Sequence, residues 1–285
     1  MDTALGLIRM RIKRNLVDLI DLIYLRVSRR KNIPPYSFRA YVGPIDEFER
    51  VPQEYIAYFK LLCGLRMDQT ILDIGCGPGR FASQLLCSPN FFHGEYYGFD
   101  INKRMIGWAN SNIASHHRNC HFECVELMNS LYWPNGKLSA ENFSFPYPIE
   151  KFDFVFAVSV LTHLLPAACN NYLNEISRVL KSEGKALVSL LLINEPQEDL
   201  SPIAKEHWKD LLKYVCEGTG TWHHVDNTYS VLYPPKPEAA VAYQKHAIEE
   251  MVNQTGLSID NIHYGAWSGR EEYLSFQDLL ILHKR

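Results

Sequence analysis

The sequence predicts a doubly wound α/β domain on a mostly parallel sheet of seven strands, with a helix ahead of it and a lid inserted late in the chain. Three stretches carry this reading. Ile71-Leu72-Asp73-Ile74 is an apolar run that breaks into Gly75-Cys76-Gly77-Pro78-Gly79 and resumes as a helix from Arg80, the pattern of a buried strand, a tight turn and a helix start. Tyr96-Tyr97-Gly98-Phe99-Asp100 is a second short run, ending on a carboxylate where the next parallel strand of a βαβ unit should end. Phe152 to Val158 is apolar almost throughout, as a central strand covered on both faces must be.

From the start of the chain, Leu5, Ile8, Ile12, Leu16, Leu19, Ile20, Ile23 and Val27 recur at helical spacing and predict an amphipathic helix over 4–27. Arg9, Arg11, Lys13, Arg14, Arg26, Arg29, Arg30 and Lys31 make this segment basic, and the interleaving of charge excludes a membrane-spanning helix. Two roles stay open for it: packing on the domain or on a second subunit, or resting on an anionic membrane surface. Residues 31–52, with Pro34-Pro35 and Gly43-Pro44, read as an extended connection that could cross the mouth of a site, with Tyr36, Arg39, Tyr41 and Phe48 as contacts. Residues 1–50 thus form a helix and linker, and 51–285 the main domain, opened by a helix over 52–65.

After the first turn the expected order is a helix at 80–87, a strand at 95–100, a helix at 103–115 and a strand at 120–125. The strand beginning at Phe152 is followed by a helix over 170–180 and a strand over 185–193. Residues 194–238 exceed what the sheet needs and form the lid: a helix over 202–216, then a loop bearing Trp222, His223, His224, Tyr229 and Tyr233. A helix over 238–255 and strands over 257–264 and 273–283 complete the chain.

Composition sets the outer bounds. A chain of 285 residues with 47% hydrophobic content can bury one sizeable core. A formal net charge of −3 gives no general case for nucleic acid as partner. The seven cysteines are scattered without a C-x-x-C pair, so neither zinc nor a disulfide framework is expected, and the chain belongs in a reducing cytoplasm, with or without peripheral membrane contact. His223 and His224 sit side by side, but successive residues of an extended chain point apart, so no metal is expected there.

The chemistry centres on the glycine turn. Backbone N–H groups there can face a ligand only if no Cβ holds it off. The spacing departs from the dinucleotide fingerprint, since Arg80 stands where a last glycine or alanine is wanted, which argues against NAD. Asp100, at the second strand end, can accept hydrogen bonds from two ribose hydroxyls. With Asp73, Gly75, Gly77, Gly79 and Asp100 in this order, the chain from about Val51 onward resembles the class I S-adenosylmethionine-dependent methyltransferases, which have a Rossmann-like fold. The resemblance implies that the turn wraps the methionine part of the cofactor, that Asp73 sits close by and that Asp100 holds the ribose. It adds Cys76, Ile101 and Ser159 to the cofactor set and puts Glu126 near the adenine, where a plain strand-end carboxylate is an equal reading. Cys76 reads as a small residue that fits the turn.

Asn129, Tyr132, Pro134 and Gly136, and later Gly265 to Arg270 with Phe276-Gln277-Asp278, resemble a bacterial small-molecule branch of that family, although Trp133 stands where asparagine is frequent. His163, just beyond the fourth strand, is the candidate general base, since imidazole titrates near neutrality; a histidine that merely packs is the alternative. Tyr41, His163, Trp222, His223, Tyr229, Trp267 and Arg270 are the candidate acceptor-side residues, with closing the last hairpin the other role for Trp267 and Arg270. The expected function is methyl transfer from S-adenosylmethionine to a hydroxyl of a small molecule such as a sugar, lipid or specialised metabolite, with no nucleic-acid partner and an oligomer allowed. Transfer to nitrogen or carbon, or a non-catalytic cofactor-binding subunit, are the alternatives.

Overall fold

The computed structural model describes residues 2–28, 30, 33–43, 47–86, 92–194, 208 and 221–285, with side chains from residue 15 onward. Helix α1 (Asp2–Val27) and the single turn α2 (Tyr36–Arg39) lead to α3 (Glu47–Leu61). The sheet strands are β1 (Ile71–Ile74), β2 (Tyr96–Asp100), β3 (Cys120–Cys124), β4 (Phe152–Ala157), β5 (Leu180–Leu190), β10 (Leu257–His263) and β11 (Asp278–Lys284), in the order β10-β11-β5-β4-β1-β2-β3. Parallel pairing joins β3, β2, β1, β4 and β5, while β11 runs antiparallel to both β5 and β10. This is the expected seven-stranded, doubly wound sheet.

Alternation along the strands fills both faces. Leu72, Val155, Ala186, Val188 and Leu280 pack with Cys169, Leu173 and Ile176 of α6 (Pro166–Val179) and Ile248 and Val252 of α7 (Lys245–Asn253). Ile71, Phe154, Phe156, Leu187 and Ile281 pack on the other side with Phe59 of α3, Phe81 of α4 (Arg80–Leu85) and Ile106 of α5 (Lys103–Asn112). Phe59 lies 4.7 Å from the Phe156 ring and 5.1 Å from Phe154, so three aromatic rings anchor α3 on the sheet. With both faces covered, the strand ends are the part of the sheet left for a ligand.

Several boundaries differ from expectation, each for a local reason. Strand β5 starts at Leu180, not Lys185, because the Ser182-Glu183-Gly184 stretch stays in the ladder as a kink: Glu183 has φ 61° and the pairing with β4 shifts between Phe152 and Phe154. The preceding helix accordingly spans Pro166–Val179. Residues 241–244 are strand β9 (Val241–Gln244), not helix, and the helix begins at Lys245. Val241, Ala242 and Tyr243 are all buried between strands, and so short an apolar run carries no helical or extended period of its own. The last strand begins at Asp278, five residues later than expected, and Ser275 makes only an isolated bridge to Gly265.

Strand β9 belongs to a second sheet, in the order β6-β9-β8-β7, formed with β6 (Leu192–Ile193), β7 (His223–His224) and β8 (Tyr229–Val231). The expected lid loop is thus partly a sheet; the helix expected over 202–216 lies outside the described residues apart from Trp208. Asp278 joins the two sheets. It is buried and accepts from Leu192 N (2.6 Å), Gly265 N (2.7 Å), Trp267 Nε1 (2.5 Å) and Arg270 Nη1 (3.0 Å). Burial pushes its carboxyl up to about 6, with Arg270 and these N–H groups opposing. Asp278→Ala is expected to cost about 3 to 5 kcal/mol of stability, because it leaves a part-buried guanidinium and three N–H groups without their acceptor; the midpoint of chemical denaturation measures it, and a loss below about 1 kcal/mol would contradict this role.

Candidate functional site

The candidate site is built at the ends of β1 and β2. Beyond Ile74 the chain turns sharply, and Gly75 N and Cys76 N both donate to Phe99 O, at 2.9 and 3.1 Å. Gly75, Gly77 and Gly79 have φ of 72°, 54° and 77°, the left-handed region that a side chain disfavours. Their surroundings differ. A Cβ on Gly79 would lie 2.8 Å from Ile113 Cδ1 and 3.0 Å from Phe122 Cζ, so this glycine lets the turn settle onto the core. A Cβ on Gly75 would lie 2.5 Å from Val160 Cγ2, and one on Gly77 would meet only Val42 Cγ1, at 3.3 Å.

Asp100 lies beside this turn. Its Oδ2 accepts from Gly77 N at 2.9 Å and its Oδ1 from Asn102 N at 2.7 Å. Burial raises its pKa, and these backbone donors oppose the shift. A carboxylate has about four acceptor positions, so two remain after these bonds. A turn that presents bare backbone at Gly75 and Gly77, beside a carboxylate with acceptor capacity for two hydroxyls, fits the ribose and amino-acid parts of S-adenosylmethionine. Ile101 follows, packed against the core.

The other cofactor-side candidates sit as follows. Asp73 is buried beneath the turn, where Tyr96 Oη donates to its Oδ2. Burial lifts its carboxyl to about 8, against the pull of that bond and of Arg80. Cys76 is buried with its sulfur toward Gly98, where a Cβ would lie 2.9 Å from it, and its thiol pKa is pushed well up by burial, as befits a space-filling residue. Glu126 is exposed and pairs with Lys137 Nζ at 2.6 Å. Ser159 has φ 58°; its N–H donates to Ser189 Oγ at 2.8 Å and its hydroxyl to Gln277 Oε1 at 3.2 Å, so the turn after β4 is tied to the approach to β11.

A strap from the N-terminal connection crosses this end of the sheet. Phe38 lies under the Arg104 guanidinium, 5.5 Å from ring centroid to Cζ, and Val42 O accepts from Arg80 Nη1 at 3.4 Å. Tyr41 packs edge-on against Tyr132, with centroids 5.5 Å apart. Burial, then the nearby Asp100 carboxylate, holds its phenol up at about 12, so it stays protonated. Arg39 and Phe48, expected with Tyr41 at the mouth, lie elsewhere: Arg39 bonds Asp21 of α1, and Phe48 is on the buried face of α3.

His163 lies in a short 3₁₀ turn, Leu161–His163, after β4. Its Nδ1 is 2.9 Å from Glu238 O and its Nε2 is 3.3 Å from Tyr132 Oη. A carbonyl only accepts, so Nδ1 carries the proton and Nε2 presents its lone pair to Tyr132. Burial lowers the pKa of this histidine, outweighing the backbone acceptors that favour its charged form. Tyr132 is placed by Asn129, whose Oδ1 accepts from Leu131 N (3.0 Å) and Tyr132 N (2.9 Å) in an Asx turn. Glu238 clamps the same loop, with its carboxylate accepting from Ser130 N at 2.6 Å. Neither the Tyr132–His163 pairing nor Glu238 has a signal in local spacing, since the contacts span 31 and 75 residues.

Of the remaining acceptor-side candidates, Trp222 stacks edge-on with Trp267 (5.4 Å) and Trp208 (5.5 Å), and its buried Nε1 has no hydrogen-bond partner among the described residues. Trp267 and Arg270 are committed to Asp278, the closing role rather than a free acceptor contact. Tyr229 faces the main core from β8, and His223 is exposed on the outer strand β7. The structure therefore brings together the glycine turn, Asp100, Tyr41, Tyr132 and His163, and holds Trp222, Trp267 and Arg270 in a separate cluster.

Two outcomes are expected. Asp100→Ala should weaken S-adenosylmethionine binding by about 10- to 100-fold, a loss of the order of hydrogen bonds to a charged group, in calorimetric titration; an unchanged affinity would remove Asp100 from the site. For Asp73, the folded pKa of about 8 lies above the ordinary 3.8, so the folded chain binds this proton more tightly. Its contribution to stability is full below about pH 4 and is lost as the pH rises through about 8. In Asp73→Asn, neutral throughout, the fall in Tm from about pH 5 to 8 should flatten, and a slope equal to the parent's would contradict the raised pKa.

Residues 65–256 match the family model described as a methyltransferase domain. The chicken (Gallus gallus) tRNA N(3)-cytidine methyltransferase METTL2 is 26% identical over 140 residues, which cover 49% of this chain and 35% of that protein's length. The magnesium protoporphyrin IX methyltransferase (ChlM) from Synechocystis PCC 6803, solved with bound SAH, superposes with a TM-score of 0.50 at 14% identity, over 96% of this chain and 100% of that one. The PH0226 protein from Pyrococcus horikoshii OT3 gives a TM-score of 0.47 at 19% identity, over 82% and 92% of the two chains.

Proposed function

Since this chain belongs to the methyltransferase-domain family and is an S-adenosylmethionine-dependent methyltransferase, we propose that it methylates a hydroxyl of a small molecule, with His163 as general base. The observation that carries this is the His163 tautomer: Nδ1 is held by Glu238 O, so a neutral Nε2 is left toward Tyr132 and the strap beside the candidate site. The cofactor, when bound, supplies an electrophilic methyl on a sulfonium. The chain's own part is alignment and proton handling. The glycine turn and Asp100 fix the cofactor's position, and Tyr41 and Val42 of the strap keep water from the mouth. His163 Nε2 takes the hydroxyl proton, directly or through Tyr132 Oη, and the Glu238 carbonyl then stabilises the imidazolium. A sugar, lipid or specialised metabolite offers such a hydroxyl.

The alternative is transfer to nitrogen, and the relative named for a tRNA cytidine makes a nucleoside nitrogen the concrete form of it. The net charge of −3 favours the small-molecule reading, because nucleic-acid binding draws its affinity from phosphate-neutralising cations. Turnover assayed in parallel on hydroxylated metabolites, lipids and tRNA decides between them, and methylation of tRNA alone would overturn the proposal. With the accepted substrate, His163→Ala should slow transfer by about 10² to 10⁴ while cofactor affinity stays unchanged. The acidic limb of the rate profile should fall below the ordinary histidine value of 6.5, because the lowered pKa keeps the base neutral to lower pH. An unaltered rate would remove His163 from this role.

A further inference from the structure

Helix α1 is attached to the body by the wrong face for a helix that serves packing. Asp18 accepts from Ser37 N (2.8 Å) and Ser37 Oγ (2.7 Å), Asp21 pairs with Arg39, and Leu25 alone among its described apolar side chains is buried. The apolar stripe points away: Leu16 is 55% exposed, Leu19 55%, Ile20 60%, Ile23 56% and Val27 79%. These positions recur three and four residues apart and so form one line along the helix. Upstream, Leu5, Ile8 and Ile12 continue the same register in a backbone that is helical from Asp2. A soluble monomer rarely leaves a contiguous apolar stripe such as Leu16 to Val27 in water.

Charge decides what covers it. The segment carries Arg9, Arg11, Lys13, Arg14, Arg26, Arg29, Arg30 and Lys31, of which Arg30 pairs with Glu49 of α3, whereas its acidic residues beyond Asp2 are Asp18 and Asp21, both engaged with the body. Negative charge is thus turned inward, and a basic excess accompanies the exposed stripe. Among the described residues no helix is long and apolar enough to cross a membrane. We infer that α1 lies flat on an anionic lipid bilayer, with its Leu16-Leu19-Ile20-Ile23-Val27 face in the headgroup boundary and its basic residues on acidic headgroups. The residues that hold α1, Ser37 and Arg39, immediately precede Tyr41 and Val42, so the foot and the strap beside the candidate site form one continuous unit. This goes beyond the proposed reaction and does not rest on it.

The test is co-flotation of the full chain with phosphatidylcholine vesicles made with and without phosphatidylglycerol. The parent chain should float with the anionic vesicles at low salt, bind the neutral ones more weakly and be released as salt rises. The pair Leu16→Glu and Ile23→Glu, both at exposed positions, should lower the vesicle partition coefficient at least about tenfold with S-adenosylmethionine affinity unchanged. As an independent probe, Ile20→Trp keeps the stripe apolar, and its indole emission should shift to the blue more strongly on anionic than on neutral vesicles. Absence of flotation with anionic vesicles, or equal flotation of the glutamate pair, would overturn the inference. So would light scattering that shows a dimer which the same pair makes monomeric without any vesicle binding in the parent, since the stripe would then cover a second copy.

Discussion

Everything at the working end of this molecule depends on how the ends of β1 and β2 are held together. Two backbone N–H groups, from Gly75 and Cys76, share the Phe99 carbonyl, and the next free N–H, from Gly77, meets the Asp100 carboxylate. A chain that doubles back this tightly needs left-handed backbone at alternate residues, which is why the glycines fall where they do. The carboxylate is therefore doubly constrained, by the backbone just past its own strand and by the turn that follows β1. That rigidity is what a transfer reaction of this kind requires, because the rate is set by how closely the attacking atom and the methyl are aligned.

The second constraint is the buried Asp278. Its hydrogen bonds come from β6, from the Gly265–Arg270 connection and from the indole of Trp267, so one carboxylate holds the small sheet to the edge of the large one. The small sheet in turn rests on the loop bearing His163, where Tyr243 Oη donates to Leu164 O at 2.6 Å. The proposed base is thus supported from the Asp278 side of the molecule through a chain of buried polar contacts.

Much of this was legible in the sequence, for identifiable reasons. The glycine turn, the strand ending at Asp100 and the apolar run from Phe152 are local patterns, and local patterns survive in sequence. The position of His163 followed from its place just past a strand end. What stayed hidden depends on distant partners. Val241 to Gln244 became a strand because β8 and β6 flank it, and nothing in four residues announces that. Glu238 read as the start of a helix and proved to hold an imidazole and a loop at once. The apolar period of α1 was plain, but periodicity names a face without saying which way it points; only the bonds of Asp18 and Asp21 do.

The Glu238 carbonyl has a bearing on how the enzyme would fail. The proton on His163 Nδ1 is assigned by an oxygen that lies 75 residues further along, at the end of the segment expected to form the lid, while the glycine turn and Asp100, the proposed core of the cofactor site, belong to the first two βα units. The two halves of the chemistry therefore have separate foundations. A lid that loosens, by heat, by denaturant or by a destabilising substitution, would release the imidazole to exchange its tautomer while the glycine turn remained intact. Such a chain would go on holding its cofactor and stop using it.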